Sequence, residues 1–429
     1  MKKLVSLAMI LAMLLTMFAG ITTASAAEVT ELQFWTFQPL HVEFYEEMAK
    51  IWNEKYPDRA IKIVPTALGY DDMHNKLLIA LQSGTGAPDF VDIEIGKYAN
   101  YLMGETQLVP LNRVIEPELD NIVKARVDIY AKDGNYYGIC FHVGASVTYY
   151  NKEIMDAAGI DPASIVTWED YANAGKVVLE KTGVPMCTVE ANDPWSFWQM
   201  LTEQGSDLLT PDGQPNVNTP EMAKGLKFYQ DMISAGTAIV APGGGHHAEE
   251  YYGFMNGGGA ASITMPFWYL DRFTNYMPDL KGKIVVMPNP VFEVGQPRSV
   301  GLGGTGTSVT NQSQHQDLAI DFLGFAKLSE EGNLKIWEVM GFDPIRKAMW
   351  TSEELKKPNK FIDYFANFPF DALIQVKDEI PAIVVSENLP KTMDAVRTSI
   401  MSRAFDGMED VETLLAEEQA ILEKSATAN

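Results

Sequence analysis

The chain has 429 residues, 46% hydrophobic and 10% aromatic, with a formal net charge of −24 at pH 7. That length supports two lobes of ordinary domain size, and that composition is sufficient for their cores. The charge excludes partners that need a basic surface, namely nucleic acid, anionic lipid and phosphorylated ligands.

Residues 1–27 read as a cleaved secretory signal. Lys2 and Lys3 precede an apolar run over 4–21, and Thr22, Thr23, Ala24, Ser25, Ala26 and Ala27 supply the small residues of a cleavage site. No cysteine follows the run until Cys140, so the segment lacks the lipid-accepting cysteine of a lipoprotein signal. The expected product is a soluble, unanchored protein in a periplasm, with simple secretion as the alternative. Such a compartment offers neither ATP nor reduced nicotinamide, which removes most enzyme classes. Cys140 and Cys187 are the two cysteines; a pair and two buried thiols both fit their apolar, strand-like contexts.

Helical and strand patterns then alternate. Residues 32–35 read as a strand, and Phe44, Met48, Ile51 and Trp52 recur at the spacing of an amphipathic helix closed by Pro57. Residues 60–64 form a second strand. Met73, Leu77, Ala80 and Leu81 mark a second helix, opened by Asp71 as N-cap and closed by Gly84. Residues 90–95 form a third strand. The pattern restarts near 146 with a strand over 146–150, a helix capped by Thr167 and a strand over 185–189. Asp193-Pro194 and Thr219-Pro220 open helices, and Gly257-Gly258-Gly259 precedes a strand over 260–265. Single helices between strands predict βαβ units with mainly parallel sheets, and two such series predict two lobes sharing a cleft.

Asp92 and Glu94 stand at i and i+2 near the end of the third strand, where open α/β sheets place ligands. Two carboxylates there suit either the binding of hydroxyl groups or the acid–base pair of glycoside cleavage. Aromatic residues are the second signal: Trp35 in the first strand, Trp195 and Trp198 at i and i+3 on one face of a helix just past its N-terminus, and the run Pro266-Phe267-Trp268-Tyr269 directly after a strand. Sugar rings stack an apolar C–H face on aromatic plates while acids receive their hydroxyls, so aromatics beside carboxylates point to carbohydrate.

The segment from Gly301 to Gly306 matches G-x-G-x-x-G but leads into a strand-like run. It reads as a glycine-rich strand near a ligand or hinge, not as a dinucleotide site. His246 and Glu250 share helical spacing, but no further cluster completes a metal set. Nucleophile-elbow, zincin and P-loop motifs are absent, so no catalytic residue, metal or cofactor is expected.

Together these residues resemble the extracellular solute-binding proteins of sugar-importing ABC transporters, the maltose-binding-protein-like family. The resemblance rests on Tyr70-Asp71-Asp72-Met73 with Leu81-Gln82-Ser83-Gly84, on Tyr149-Tyr150-Asn151-Lys152, on Thr167-Trp168-Glu169-Asp170, and on Met265-Pro266-Phe267-Trp268. It implies an α/β, two-lobed periplasmic-binding-protein fold (type II), each lobe a mostly parallel sheet flanked by helices. By that resemblance residues 28–144 plus 300–328 form the N-terminal lobe, and 145–299 plus 329–429 the C-terminal lobe. Gly144, Ala145 and Gly295 become hinge candidates. The implied ligand contacts are Trp35, Phe37, Tyr70, Asp71, Glu94, Asp193, Trp195, Phe267 and Trp268. At position 144 some family members carry an acid where this chain has glycine. The implied function is reversible sugar binding by hinge closure, as a monomer that meets a membrane permease. A secreted glycoside hydrolase and a binder of a cationic solute such as a polyamine are the alternatives.

Overall fold

The computed structural model describes residues 29–426, so the signal assigned to 1–27 lies outside the described residues. The first series of elements is β1 (Thr30–Thr36), α1 (Pro39–Lys55), β2 (Ile61–Ala67), α2 (Tyr70–Ser83), β3 (Phe90–Glu94) and α3 (Ile95–Leu102). Helix α1 buries His41, Phe44, Tyr45, Met48, Ala49 and Trp52 as one stripe, the spacing that turns an amphipathic segment toward a sheet. Helix α2 ends at Gly84, whose φ of 74° is the left-handed conformation that suits glycine. Its N-cap is Gly69, not Asp71. Asp71 instead lies in the first turn, where a negative charge favours the helix dipole.

A hairpin of β4 (Ala131–Lys132) and β5 (Asn135–Tyr136) leads to β6 (Ile139–Cys140). The second series is β7 (Ser146–Asn151), α4 (Trp168–Thr182), β8 (Cys187–Val189), α5 (Pro220–Ser234), β9 (Ala238–Val240), β10 (Ser262–Pro266) and β11 (Ile284–Met287). Thr167 and Asp170 close a reciprocal capping box on α4, and Thr219 accepts the Met222 N–H at the start of α5. Strand β12 (Thr305–Val309) and helices α6 (Gln316–Leu328), α7 (Glu330–Lys335), α8 (Leu389–Ala395) and α9 (Val411–Ala426) complete the chain.

Two sheets result, ordered β2-β1-β3-β12-β6 and β11-β7-β10-β8-β9. In the first, β12 runs against both its neighbours while β2, β1 and β3 are parallel. In the second, β7 alone runs against its neighbours. The two reversed strands are those the chain enters after passing from the other lobe. Each sheet is thus mostly parallel because a single crossing strand is inserted into it. Trp168, Trp198 and Trp337 are fully buried between these sheets and their helices, each burial stabilising by about 1.5–3 kcal/mol or more. Cys140 and Cys187 are buried and free, one in each sheet.

Three segments cross between the lobes and brace one another. Ala145 bridges Gly301 and His142 bridges Pro344, while the Val143 N–H donates to the Asp343 carbonyl. The expected crossing at 328/329 falls elsewhere. There Ser329 caps α7 and Asn333 binds back to the Lys327 carbonyl, so the segment is a turn between helices. Both α6 and α7 pack on α1, and the chain crosses only at 342–345. Gly295 also lies outside the crossings, in a turn beside the 79% exposed Val294. The second crossing is the glycine-rich segment 299–304 instead.

Candidate functional site

Parallel strands place their C-terminal ends at one edge of each sheet, and here the two edges face each other across a cavity of about 350 Å³. From the first sheet come Phe37 after β1, Tyr70 after β2 and Glu94 at the end of β3. Gly304 and Thr305 add the start of the reversed strand β12. From the second sheet come Asp193 and Trp195 after β8, His247 after β9, and Trp268 after β10. The cavity is therefore lined from both lobes.

Six of the nine residues proposed as ligand contacts meet in this cavity: Phe37, Tyr70, Glu94, Asp193, Trp195 and Trp268. Three do not. Trp35 is still within β1, so its side chain stands off the sheet face and packs under the Lys76 ammonium at 4.0 Å. Phe267 follows β10 directly but turns inward, against Phe370 at 5.0 Å and Trp337 at 6.2 Å. Asp71 is exposed on the first turn of α2, 3.5 Å from Lys97. Asp92 also separates from Glu94. It is buried, accepts from Thr307 at 2.6 Å, and lies 2.8 Å from His41 Nδ1.

The aromatic wall is braced by direct contacts. The Trp268 Nε1–H donates to the Leu302 carbonyl at 3.1 Å. His247 stacks on its ring at 5.6 Å, and Trp195 stands perpendicular to it at 6.0 Å. Trp195 in turn lies parallel to the buried Trp198, 6.0 Å away. Two ring planes thus meet at a right angle.

Opposite them, Glu94 Oε2 accepts from the Tyr70 hydroxyl at 2.8 Å and from the Gly96 N–H at 2.7 Å, capping α3. Glu94 Oε1 is buried and has no hydrogen-bond partner among the described residues. Burial pushes the Glu94 carboxyl up to about 7, against the pull of those two hydrogen bonds. His74 is held neutral behind it: Nε2 accepts the Glu94 N–H, Nδ1 faces the Tyr70 carbonyl, and burial lowers its pKa to about 4. On the other side burial raises Asp193 to about 6, opposed by Arg397, whose Nε is 2.9 Å away. Behind Asp193, Glu190 receives the Ser196 and His246 N–H groups and is raised to about 8 by burial.

These buried acids make stability depend on pH. Glu94, Glu190, Glu203 and Asp343 bind protons more tightly folded than unfolded, with values of about 7, 8, 8 and 7. Their stabilisation is present at low pH and is lost as pH rises through those values. The buried histidines act oppositely, but only below their unfolded pKa of about 6.5. Lys327, lowered to about 7 by burial, opposes the acids with one group. The expected result is a Tm that falls between pH 6.5 and 8, measured by calorimetry at fixed ionic strength. A flat or rising Tm over that interval contradicts it.

Seven cavity residues escaped the reading of the sequence: Gln38, His41, His142, His247, Arg272, Phe342 and Arg397. His247 carried no strand-end signal, since it lies well beyond Val240, the end of a strand that the hydrophobic pattern does not mark. His246, which the sequence reading sets aside as a metal ligand, is not on a solvated helix start but is a buried core histidine 2.9 Å from the Thr188 hydroxyl. Among the described residues no group of three or more His, Cys, Asp or Glu is arranged to hold a metal ion, and no helix is long and apolar enough to cross a membrane.

Two α/β lobes joined by three crossings, with a half-site at the sheet edge of each, define a two-lobed binding protein. The chain belongs to the bacterial extracellular solute-binding protein family, whose sequence profile matches residues 38–333. It is 47% identical over 416 residues to the arabinooligosaccharide-binding protein of Bacillus subtilis, covering 95% of each chain. It is 48% identical over 374 residues to the arabinooligosaccharide-binding protein of Halalkalibacterium halodurans, covering 87% of this chain and 84% of that one. Its fold is shared with the ABC-transporter-associated binding protein of B. animalis subsp. lactis Bl-04, solved with β-1,6-galactobiose. That likeness has a TM-score of 0.76 at 22% identity, covering 94% and 98% of the two chains.

Proposed function

We propose that this protein is the exported receptor of an ABC importer for arabinooligosaccharides. It binds without chemical change and docks as a monomer on a membrane permease. The signal over 1–27 directs export and is removed on translocation, without a lipid anchor. The observation that carries this reading is the interlobe cavity itself, with two perpendicular indole walls facing a buried carboxylate oxygen that lacks a partner. Trp268 and Trp195 stack on sugar C–H faces, and Glu94 and Asp193 receive hydroxyl protons. Bending at 142–146, 299–304 and 342–345, with Gly144 and Ala145 in the first of these, brings the half-sites together. The ligand shifts a pre-existing equilibrium toward the closed state. The identity with two arabinooligosaccharide-binding proteins over most of the chain supports that substrate class.

The two alternatives lose support at the same site. A cation meets Arg272 and Arg397 in the cavity lining. A hydrolase needs two free carboxylates, whereas Asp92 is held by Thr307 and His41 and Asp193 is paired with Arg397. Calorimetry with arabinobiose and arabinotriose is expected to give saturable heat with no product detectable by chromatography. Absence of heat with every arabinose oligomer, or release of arabinose, overturns this function.

Glu94 makes binding depend on pH. A hydroxyl that donates to its carboxylate favours the ionised form, so affinity rises with pH through about 7. The expected change is up to tenfold per pH unit between 6 and 7, levelling above 8, and Glu94→Gln removes most of it. An affinity that is equal at pH 6 and 8 excludes Glu94 as an ionised acceptor.

A further inference from the structure

We infer that Arg397 is a specificity-determining residue of this site, donating to the sugar from the second lobe opposite Glu94. The inference rests on the sugar-binding reading above. Residue 397 lies beyond the span 38–333 matched by the family, so that match assigns it no role.

The backbone explains how Arg397 reaches the cavity. It sits in a π-turn, Val396–Ile400, that follows α8 directly. Such turns insert one residue into a helix and redirect the side chains around it, and they concentrate at functional sites. Helix α8 itself lies against α3 of the first lobe, with Asp394 3.9 Å from Lys97. The π-turn is thereby held where the two lobes meet, while its apolar residues Val396 and Ile400 are buried in the second lobe's core.

The guanidinium is posed by both lobes and saturated by neither. Its Nε faces Asp193 Oδ1 at 2.9 Å, from the second lobe. Its Cζ stands 5.8 Å from the Tyr70 ring centroid, from the first lobe. Its two Nη nitrogens make no hydrogen bond to any described residue, and the side chain is one-third exposed to the cavity. Tyr70 links this cation to the acceptor, because its hydroxyl holds Glu94 Oε2 and leaves Oε1 unpartnered. Free donors on one lobe therefore face a free acceptor on the other. Adjacent hydroxyls of one sugar unit match that arrangement, one accepting from Nη and one donating to Oε1. Because the pair spans the lobes, it is completed only on closure. Its loss is felt in how fast the sugar leaves rather than how fast it arrives.

The test compares wild type, Arg397→Lys, Arg397→Met and the double variant Arg397→Met with Glu94→Gln. Arabinotriose binding is measured by calorimetry and stopped-flow Trp fluorescence, and the unliganded Tm by calorimetry. Arg397→Met is expected to bind roughly 10- to 100-fold more weakly, the range for a lost charge-assisted hydrogen bond. The change falls on the dissociation rate. Arg397→Lys recovers part of the affinity, and the double variant loses less than the product of the two single losses. Wild type that binds while Arg397→Met and Arg397→Lys both stay within threefold of it overturns the inference alone. A Met variant whose unliganded Tm collapses shifts the decision to the Lys variant, where unchanged affinity and dissociation rate overturn it equally. Wild type that binds no arabinose oligomer overturns the sugar reading, and this inference with it.

Discussion

Trp268→Ala is expected to weaken sugar binding by about 30- to 1,000-fold, the range of an interfacial hot spot worth 2–4 kcal/mol. Three observations put the effect this high. The ring is fixed before ligand arrives, through its hydrogen bond to the Leu302 carbonyl and its contact with His247, so binding spends little entropy in ordering it. It stands perpendicular to Trp195, and each ring supplies a face for stacking. Its hydrogen-bond partner lies in a crossing segment, where the Leu302 N–H donates to the Gly144 carbonyl. Truncation therefore removes the stacking face and loosens the cavity wall together. Trp268→Phe keeps a smaller face without the Nε1–H and is expected to fall between the two. Calorimetry with arabinotriose measures both variants, and near-wild-type affinity in Trp268→Ala excludes the ring as a platform.

How far the site was legible in the sequence follows from where each residue stands relative to a strand end. Glu94 and Trp268 occupy positions at or just past such an end, and simple periodicity locates those ends to within a residue or two. The same precision fails for Trp35 and Phe267. One residue earlier or later moves a side chain from the sheet edge into the core, and hydrophobic pattern alone does not resolve a one-residue step. Arg397 carried no local signal at all. Its place depends on a π-turn and on α8 meeting α3, a contact between residues nearly 300 positions apart in sequence. The lobe boundary at 328 failed for another reason. Ser329 caps a helix, and a capped turn between two helices of one lobe carries the same polar punctuation as a crossing. Two lobes and mainly parallel sheets were readable because they arise from alternation repeated along the whole chain.

Gly144→Ala is expected to destabilise the protein by about 3 kcal/mol or more, whereas Gly295→Ala costs only about 1–2 kcal/mol. Both glycines have positive φ, 73° and 102°, so both substitutions bear the strain of that backbone conformation. Their surroundings separate them. A Cβ at 295 meets nothing within 4 Å, while one at 144 lies 2.2 Å from the Leu302 carbonyl oxygen. That oxygen cannot retreat cheaply, because it accepts from Trp268 while the Leu302 N–H is tied to the Gly144 carbonyl. The Gly144 and Ala145 N–H groups are in turn held by the buried Asp343 carboxyl at 3.1 and 2.9 Å. Relief at one crossing therefore pulls on the other two. The same crowding accounts for glycine at 144: a side chain there collides with the neighbouring crossing before it reaches the cavity. Denaturant titrations of the two variants decide the matter. Equal losses at 144 and 295 sink the argument, because backbone strain alone then explains both. A loss confined to Gly144→Ala, with weaker sugar binding, ties the geometry of the first crossing to the cavity wall that Leu302 and Trp268 share.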